Sequence, residues 1–296
     1  MQFCTSSSSQ IASARKETSV QRYTLLAPFS WRNEHRFKDV KVDPTSHAEV
    51  LGAIQRFRGA SYVVDGAVSA SALSVDGRHV QGIDPESWHF LIHNGDNEVV
   101  SCARYYSHPN PTFESTLTSK SALGKSPEWQ AKVRLVVENS IQQAAERGAT
   151  FAELGGWCVA PSFRNTSHAL RTVLQMYALG EILGGTLGLS TATTRHASSS
   201  ILQRLGASRA SLQGDPLPSY YDPAFDCEME LLQFDSLRPA AKYAGHVTDY
   251  IAQMNEEMRV VCCQPAHPTN VASLLALSTA LRPMDPQVAG RMAKVA

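Results

Sequence analysis

The run from Thr150 to Gly206 constrains the chain most: TFAELGGWCVAPSFRNTSHALRTVLQMYALGEILGGTLGLSTATTRHASSSILQRLG. Thr150–Val159 reads as a strand closed by Ala160-Pro161, and a polar loop (Ser162, Phe163, Arg164, Asn165, Thr166) opens a helix at Ser167. Leu170, Val173, Leu174, Tyr177 and Ala178 recur at helical spacing, and Gly184-Gly185 stops the helix. Thr186–Thr193 is rich in β-branched residues and predicts a second strand, followed by a helix over His196–Leu205 and a stop at Gly206. Strand, loop, helix and parallel strand make a βαβ unit, and its loop lies where such units hold anions.

A chain of 296 residues can bury a full core. Its formal net charge is zero, without a basic stripe, which argues against a nucleic-acid partner. No apolar run is long enough for a membrane span. The six cysteines show no C-x-x-C spacing and no paired histidines nearby, so neither a metal site nor a disulfide framework is expected, and a reducing cytoplasm fits.

Residues 1–20 read as a disordered polar tail. Ser46–Phe57 predicts a helix with Ser46 as its cap, and residues 61–76 carry no clear pattern. Trp88–His93 and Val99–Tyr106 flank Asn94-Gly95-Asp96-Asn97, a hairpin signal. His108–Pro127 reads as a surface loop, and Trp129 to Gly148 as an amphipathic helix. Gln213–Asp226 reads as a loop, Cys227–Phe234 as a closing strand, and 240–296 as a helical appendix carrying Val271–Leu281. That appendix could dock on the domain or on a second subunit, as in a homodimer. The expected fold class is mixed α/β, with residues 21–239 forming one domain around a single sheet.

The order of elements and the run Glu153 to Gly206 resemble the GNAT N-acyltransferase superfamily. The resemblance implies a curved, mostly antiparallel sheet with a splayed parallel pair in its centre. It also implies an Arg/Gln-x-x-Gly-x-Gly/Ala loop binding the cofactor's diphosphate. The matching hexapeptide is Arg164-Asn165-Thr166-Ser167-His168-Ala169, with Ser167 in place of the middle glycine. A side chain there crowds the backbone approach a diphosphate needs, which disfavours acetyl-CoA. A narrower likeness is to the acyl-carrier-protein-dependent branch of homoserine lactone synthases and N-acyl amino acid synthases. It rests on Arg56-Phe57-Arg58, on Asp84 ahead of Trp88–Ile92, on Arg104, and on Glu153 to Val159, where Gly156 replaces that branch's arginine. The resemblance implies that Arg56, Arg58, Asp84 and Arg104 orient an acceptor's carboxylate and amine. It implies a co-substrate that is acyl-phosphopantetheine on an acyl-carrier protein, or acyl-CoA, with a small amine as second partner.

Direct attack of an amine on a thioester needs a proton acceptor, an oxyanion site and a departing thiolate. Glu153 is the candidate base, with burial expected to raise its pKa; pairing with Arg104 is the structural alternative. A backbone N–H near Trp157, Cys158 or Val159 would hold the oxyanion if Gly155-Gly156 marks a bulge. No tyrosine lies between His196 and Gly206 to protonate the thiolate, so His196, Ser199 or Ser200 would substitute, or solvent would. Cys158 is a candidate acyl-cysteine nucleophile, weighed against an inert buried thiol. Arg164 with Asn165, Thr166, Ser167, His168 and Ala169 is the candidate anion site. An acetyl-CoA-dependent enzyme and a non-catalytic acyl-thioester sensor stand as alternatives.

Overall fold

The computed structural model describes residues 22–32 and 36–263; the stretch 1–20 and Val271–Leu281 lie outside them. The described chain begins with β1 (Arg22–Leu26), β2 (Val40–Val42) and helix α1 (Pro44–Val64). Asp43 caps that helix through Ser46 N at 2.9 Å, with Pro44 at the first helical position, so the helix starts two residues before the expected Ser46. Strands β3 (Trp88–His93) and β4 (Val99–Ser107) form the hairpin. Helices α2 (Ala122–Lys125) and α3 (Gln130–Glu146) lead to β5 (Thr150–Val159), α4 (His168–Ile182), β6 (Thr186–Thr193) and α5 (Ser198–Leu205). Short strands β7 (Ser208–Arg209), β8 (Ser211–Leu212), β9 (Asp215–Pro216) and β10 (Tyr220–Asp222) precede β11 (Cys227–Asp235), α6 (Ala244–Glu256) and β12 (Arg259–Cys262).

One sheet runs β10-β11-β6-β5-β4-β3-β1-β12-β2. Its pairs are antiparallel except β5/β6, β1/β12 and β12/β2. The result is a mixed α/β architecture, with a parallel pair inside the sheet and helices on both faces. Residues 240–263 depart from a helical appendix. Helix α6 packs Val247 and Met254 into the main core, and β12 then enters the sheet between β1 and β2. Val260 and Val261 are buried there, which a peripheral segment would not achieve.

The largest core lies under α4, α5 and α6, around Phe90, Trp88, Tyr177, Leu179 and Phe234. The opposite face carries α1, whose Leu51 and Ile54 pack on Leu26 and Leu91, and α3 over Phe151, Leu189 and Leu231. The stretch His108–Pro127 is not a loop lying over the surface. Phe113, Thr116, Thr118 and Leu123 are buried, and its turns fold back against β5.

Candidate functional site

Parallel pairing of β5 with β6 runs from Thr150/Thr186 to Leu154/Ser190 and then stops. Beyond it β5 stays on β4 while β6 follows β11 as far as Thr193, so the two central strands splay. The cause is local. The β4/β5 register shifts between Cys102/Cys158 and Arg104/Gly155, and Gly156 sits at φ 58, a left-handed value that glycine adopts without strain. This bulge reverses the alternation of the strand. Phe151 points to the α3 face and Leu154 to the α4 face before it; Trp157 packs on the α4 face and Cys158 on the α1 face after it. Ala160 N donates to Val100 O at 2.9 Å. Alternation from that point directs the backbone groups of Trp157 and Val159 away from β4, into the splay. Of the three residues named for the oxyanion, Trp157 and Val159 therefore turn their N–H groups to the gap, while Cys158 turns its own toward β4.

The loop after β5 stands at the mouth of this gap. Asn165, Thr166 and Ser167 are exposed, and Asn165 has φ 60. Thr166 Oγ1 donates to Phe163 O at 2.5 Å and contacts His168 Nδ1 at 2.6 Å. Ala169 is half-buried in the first turn of α4, whose opening N–H groups have no partner within the helix. Arg164 meets Asp65, at the C-terminal end of α1, at 2.7 Å. Asp65 also accepts at its backbone carbonyl from Arg195 at 2.6 Å, and its carboxylate lies 3.4 Å from His196 Nε2. One carboxylate thus spans the gap, touching the loop after β5 and the turn after β6. Asp65 was not among the candidates, since residues 61–76 show no periodic pattern.

On the α1 face, the strand end beside Gly156 borders a buried ionic cluster. Asp84 accepts from Arg58 Nη2 at 2.5 Å, Arg104 Nη1 at 2.9 Å, Gln55 Nε2 at 3.1 Å and Gln81 N at 3.0 Å. Burial would raise the Asp84 pKa, but Arg58 and Arg104 hold it well below the usual carboxylate range. Two guanidiniums share one carboxylate, and the Nε of each has no partner among the described residues. Arg58, Asp84 and Arg104 are brought together as expected; Arg56 is not. It is half-exposed, 3.8 Å from Asp76, because residues two apart on a helix face different ways. Arg58 instead continues the buried row of Leu51 and Ile54.

Burial, with help from Arg58, pushes His79 down to about 4, and burial pushes His89 down to about 3. An unfolded histidine titrates near about 6.5. The unfolded state therefore takes up protons first, and the contribution to stability, complete above that pH, declines as pH falls toward 4. The urea midpoint is expected to drop steadily from pH 6.5 to pH 4; a flat midpoint across that window would contradict the burial of these imidazoles as neutral rings.

Glu153 does not occupy the state expected of a base. It is 3% exposed and accepts from Leu117 N at 2.7 Å, Thr118 N at 2.9 Å and Thr118 Oγ1 at 2.8 Å, and it pairs with His108 Nε2 at 2.9 Å. Burial alone would raise its pKa, but these hydrogen bonds, led by His108, lower it. Arg104 is not its partner. The carboxylate is the anchor that folds the 108–120 segment inward, and His108, like Asp65, lies outside the candidates drawn from the sequence.

Cys158 is buried beside Cys102, and burial raises its pKa well above the ordinary thiol value, so it is a protonated thiol rather than a ready nucleophile. Ser199 is buried, donates to Glu230 and accepts from Gln203 Nε2 at 3.0 Å. His196 precedes α5 rather than opening it, in a turn where both His196 and Ala197 have positive φ. Among the described residues no group of three His, Cys, Asp or Glu side chains is placed to hold a metal, and no helix is long and apolar enough to cross a membrane. A separate open groove of about 640 Å³ lies between the start of β5 and α3, lined by Ser107, His108, Thr112, Ile141, Ala144 and Phe151.

No family profile matches this chain, and no curated protein does. Solved structures are similar to it. A CoA-dependent acyl-homoserine lactone synthase, BjaI, with SAM and isopentyl-CoA, is 14% identical, covers 84% of this chain and 96% of its own, and has a TM-score of 0.49. FeeM, an N-acyl amino acid synthase from uncultured soil microbes, is 11% identical over 74% of this chain and 91% of its own, with a TM-score of 0.43. A mosquito arylalkylamine N-acetyltransferase like 5b is 10% identical over 72% of this chain and 99% of its own, with a TM-score of 0.42. These are likenesses of architecture, at identities that carry no chemistry across.

Proposed function

We propose that the chain is an N-acyltransferase. It moves an acyl group from a phosphopantetheine thioester to the amine of a small carboxylate-bearing acceptor, of which an amino acid is the simplest. The observation that carries this reading is the splay of β5 from β6 at the Gly156 bulge, with Trp157 and Val159 turning their backbone groups into the gap. A pantetheine arm enters between the strands, and its thioester carbonyl accepts from these N–H groups. As the amine attacks, the carbonyl carbon becomes tetrahedral and charge gathers on its oxygen, where fixed N–H dipoles stabilise it. The C–S bond then breaks, the thiolate takes a proton from solvent, and water accepts the proton of the amine. Glu153 serves by anchoring the 108–120 segment, not as the base.

The phosphate of the arm suits Arg164 and the first turn of α4, where it would displace Asp65. Ser167 and the single arginine favour one phosphate over a diphosphate, hence an acyl-carrier protein over CoA. The excess positive charge of Arg58 and Arg104 over Asp84 supports an acceptor with a carboxylate. The engagement of Glu153 by Leu117, Thr118 and His108 favours, as a second reading, a sensor that binds acyl thioesters without turnover.

The test is thiol release by the purified chain with acetyl-CoA, long-chain acyl-CoA or acyl-carrier protein as donor, against a pool of amino acids. Turnover with the carrier-bound donor is expected. Turnover with acetyl-CoA alone would reverse the donor assignment, and binding without turnover would put the sensor first. In the same assay Arg164→Ala is expected to raise KM for the donor roughly 10- to 100-fold, the worth of a charge-assisted hydrogen bond, with kcat nearly unchanged. Stability should fall by less than about 1 kcal/mol, since the Asp65 pair is partly exposed. An unchanged KM would remove Arg164 from the donor site.

A further inference from the structure

Cys102 on β4 and Cys158 on β5 are register partners across an antiparallel pair, and their sulfurs lie 3.6 Å apart. Opposed residues on such strands have Cα atoms about 4.5–5.5 Å apart. That separation lies inside the range a disulfide spans, about 4.4–6.8 Å. Bonding would require the sulfurs to close by about 1.5 Å, toward the usual S–S length of about 2.05 Å. The backbone can take up this movement, because the register break lies two residues before Cys158, at Gly156. Cys102 Sγ also contacts Gly156 O at 3.4 Å, so the pair and the bulge are already joined.

The surroundings make the two sulfurs unequal. Both sit in the core formed by Leu26, Leu51, Ile54, Leu91 and Val261. The hydrogen bond from Cys158, aided by Arg58, lowers the pKa of Cys102, while burial raises that of Cys158. One sulfur of the pair is therefore the better electron donor and the other keeps its proton, the division of labour that disulfide formation uses.

We propose that Cys102 and Cys158 form a reversible oxidation site, a cross-strand dithiol that hydroperoxides convert to a disulfide. In the first step a Cys sulfur attacks the peroxide, the O–O bond breaks, and a sulfenic acid and one water form. The second sulfur then displaces the hydroxyl as a second water and the S–S bond forms. In sum, two thiols and one hydrogen peroxide give one disulfide and two waters. A small dithiol reverses it by exchange, becoming oxidised itself. The bond would clamp β4 to β5 at the bulge that sets the direction of Trp157 and Val159. Loss of acyl transfer on oxidation is the functional consequence, and this consequence alone rests on the function proposed above.

The test uses the wild-type chain, so no variant has to fold. The protein is treated with hydrogen peroxide, unfolded, alkylated with N-ethylmaleimide and digested with trypsin. The expected product is a linked pair of peptides, 79–104 and 148–164, each lacking one hydrogen and the alkyl group and both restored by dithiothreitol. Cys102 and Cys158 recovered fully alkylated, over-oxidised separately, or linked instead to Cys227, Cys262 or Cys263 would overturn the site. Turnover or donor binding is measured on the same samples. A disulfide that forms without altering either would overturn the functional consequence while leaving the modification site standing.

Discussion

Asp84→Ala is expected to destabilise the chain by about 3–5 kcal/mol, because it strands two buried guanidiniums. Asp84 is 1% exposed and is the shared acceptor of Arg58 and Arg104, with Gln55 and the Gln81 backbone completing its contacts. Arg58 is itself fully buried under α1, so neither cation can turn to water without opening the helix–sheet contact. The denaturant midpoint should fall accordingly, and whatever folded protein remains should lose affinity for the acceptor. Asp84→Asn retains the shape but not the charge and should lie between wild type and alanine. The Asp84 pKa is depressed in the folded chain. Its stabilisation is therefore present above the unfolded carboxylate value of about 3.9 and is lost as pH falls through the folded value. A midpoint unchanged in Asp84→Ala would mean that the two arginines are not held by this carboxylate.

Glu153→Gln is the second large effect, and it separates an anchor from a base. The amide puts an NH2 group in place of one carboxylate oxygen, so either Leu117 N with His108, or Thr118 N with its hydroxyl, is left facing a donor. Each unsatisfied buried group costs about 1–3 kcal/mol. The expected result is a lower denaturant midpoint and faster amide exchange over residues 108–120. Activity should fall in proportion to that opening, with the acid limb of the pH–rate profile unmoved. Loss of the acid limb with native stability would instead restore Glu153 as the base. Because its folded pKa is depressed, the wild-type contribution is complete above the unfolded value of about 4.3 and is lost as pH falls through the folded value.

The parts of this fold legible in the sequence are those whose signal is local. Strand β5, the hairpin of β3 and β4, helix α3 and strand β6 carry period and turn residues within their own spans. Strands β1, β2 and β12 carry no such signal. Five, three and four residues long, they are strands because they lie beside one another at the far edge, a pairing between residues more than two hundred positions apart. The site divides the same way. The bulge was readable from Gly155-Gly156, whereas Arg58 was named only with Arg56 through the family resemblance, and it is the structure that sets Arg58 on the buried row of Leu51 and Ile54. Asp65 and His108 were not readable. Each acquires its role from a partner distant in sequence, Arg164 in one case and Glu153 in the other. Glu153 stands out as a charged residue in an apolar strand, but the direction of its pKa depends on donors from a segment that reads as surface loop.

The most direct test of the central claim is amide hydrogen exchange with and without a non-hydrolysable acyl-phosphopantetheine bound. Binding in the splay predicts slowed exchange at Trp157 and Val159 and in the opening turn of α4, with residues 107–112 and 141–151 unchanged. Protection confined to 107–112 and 141–151 would place the ligand in the groove beside α3, and would contradict an acyl-transfer site between β5 and β6.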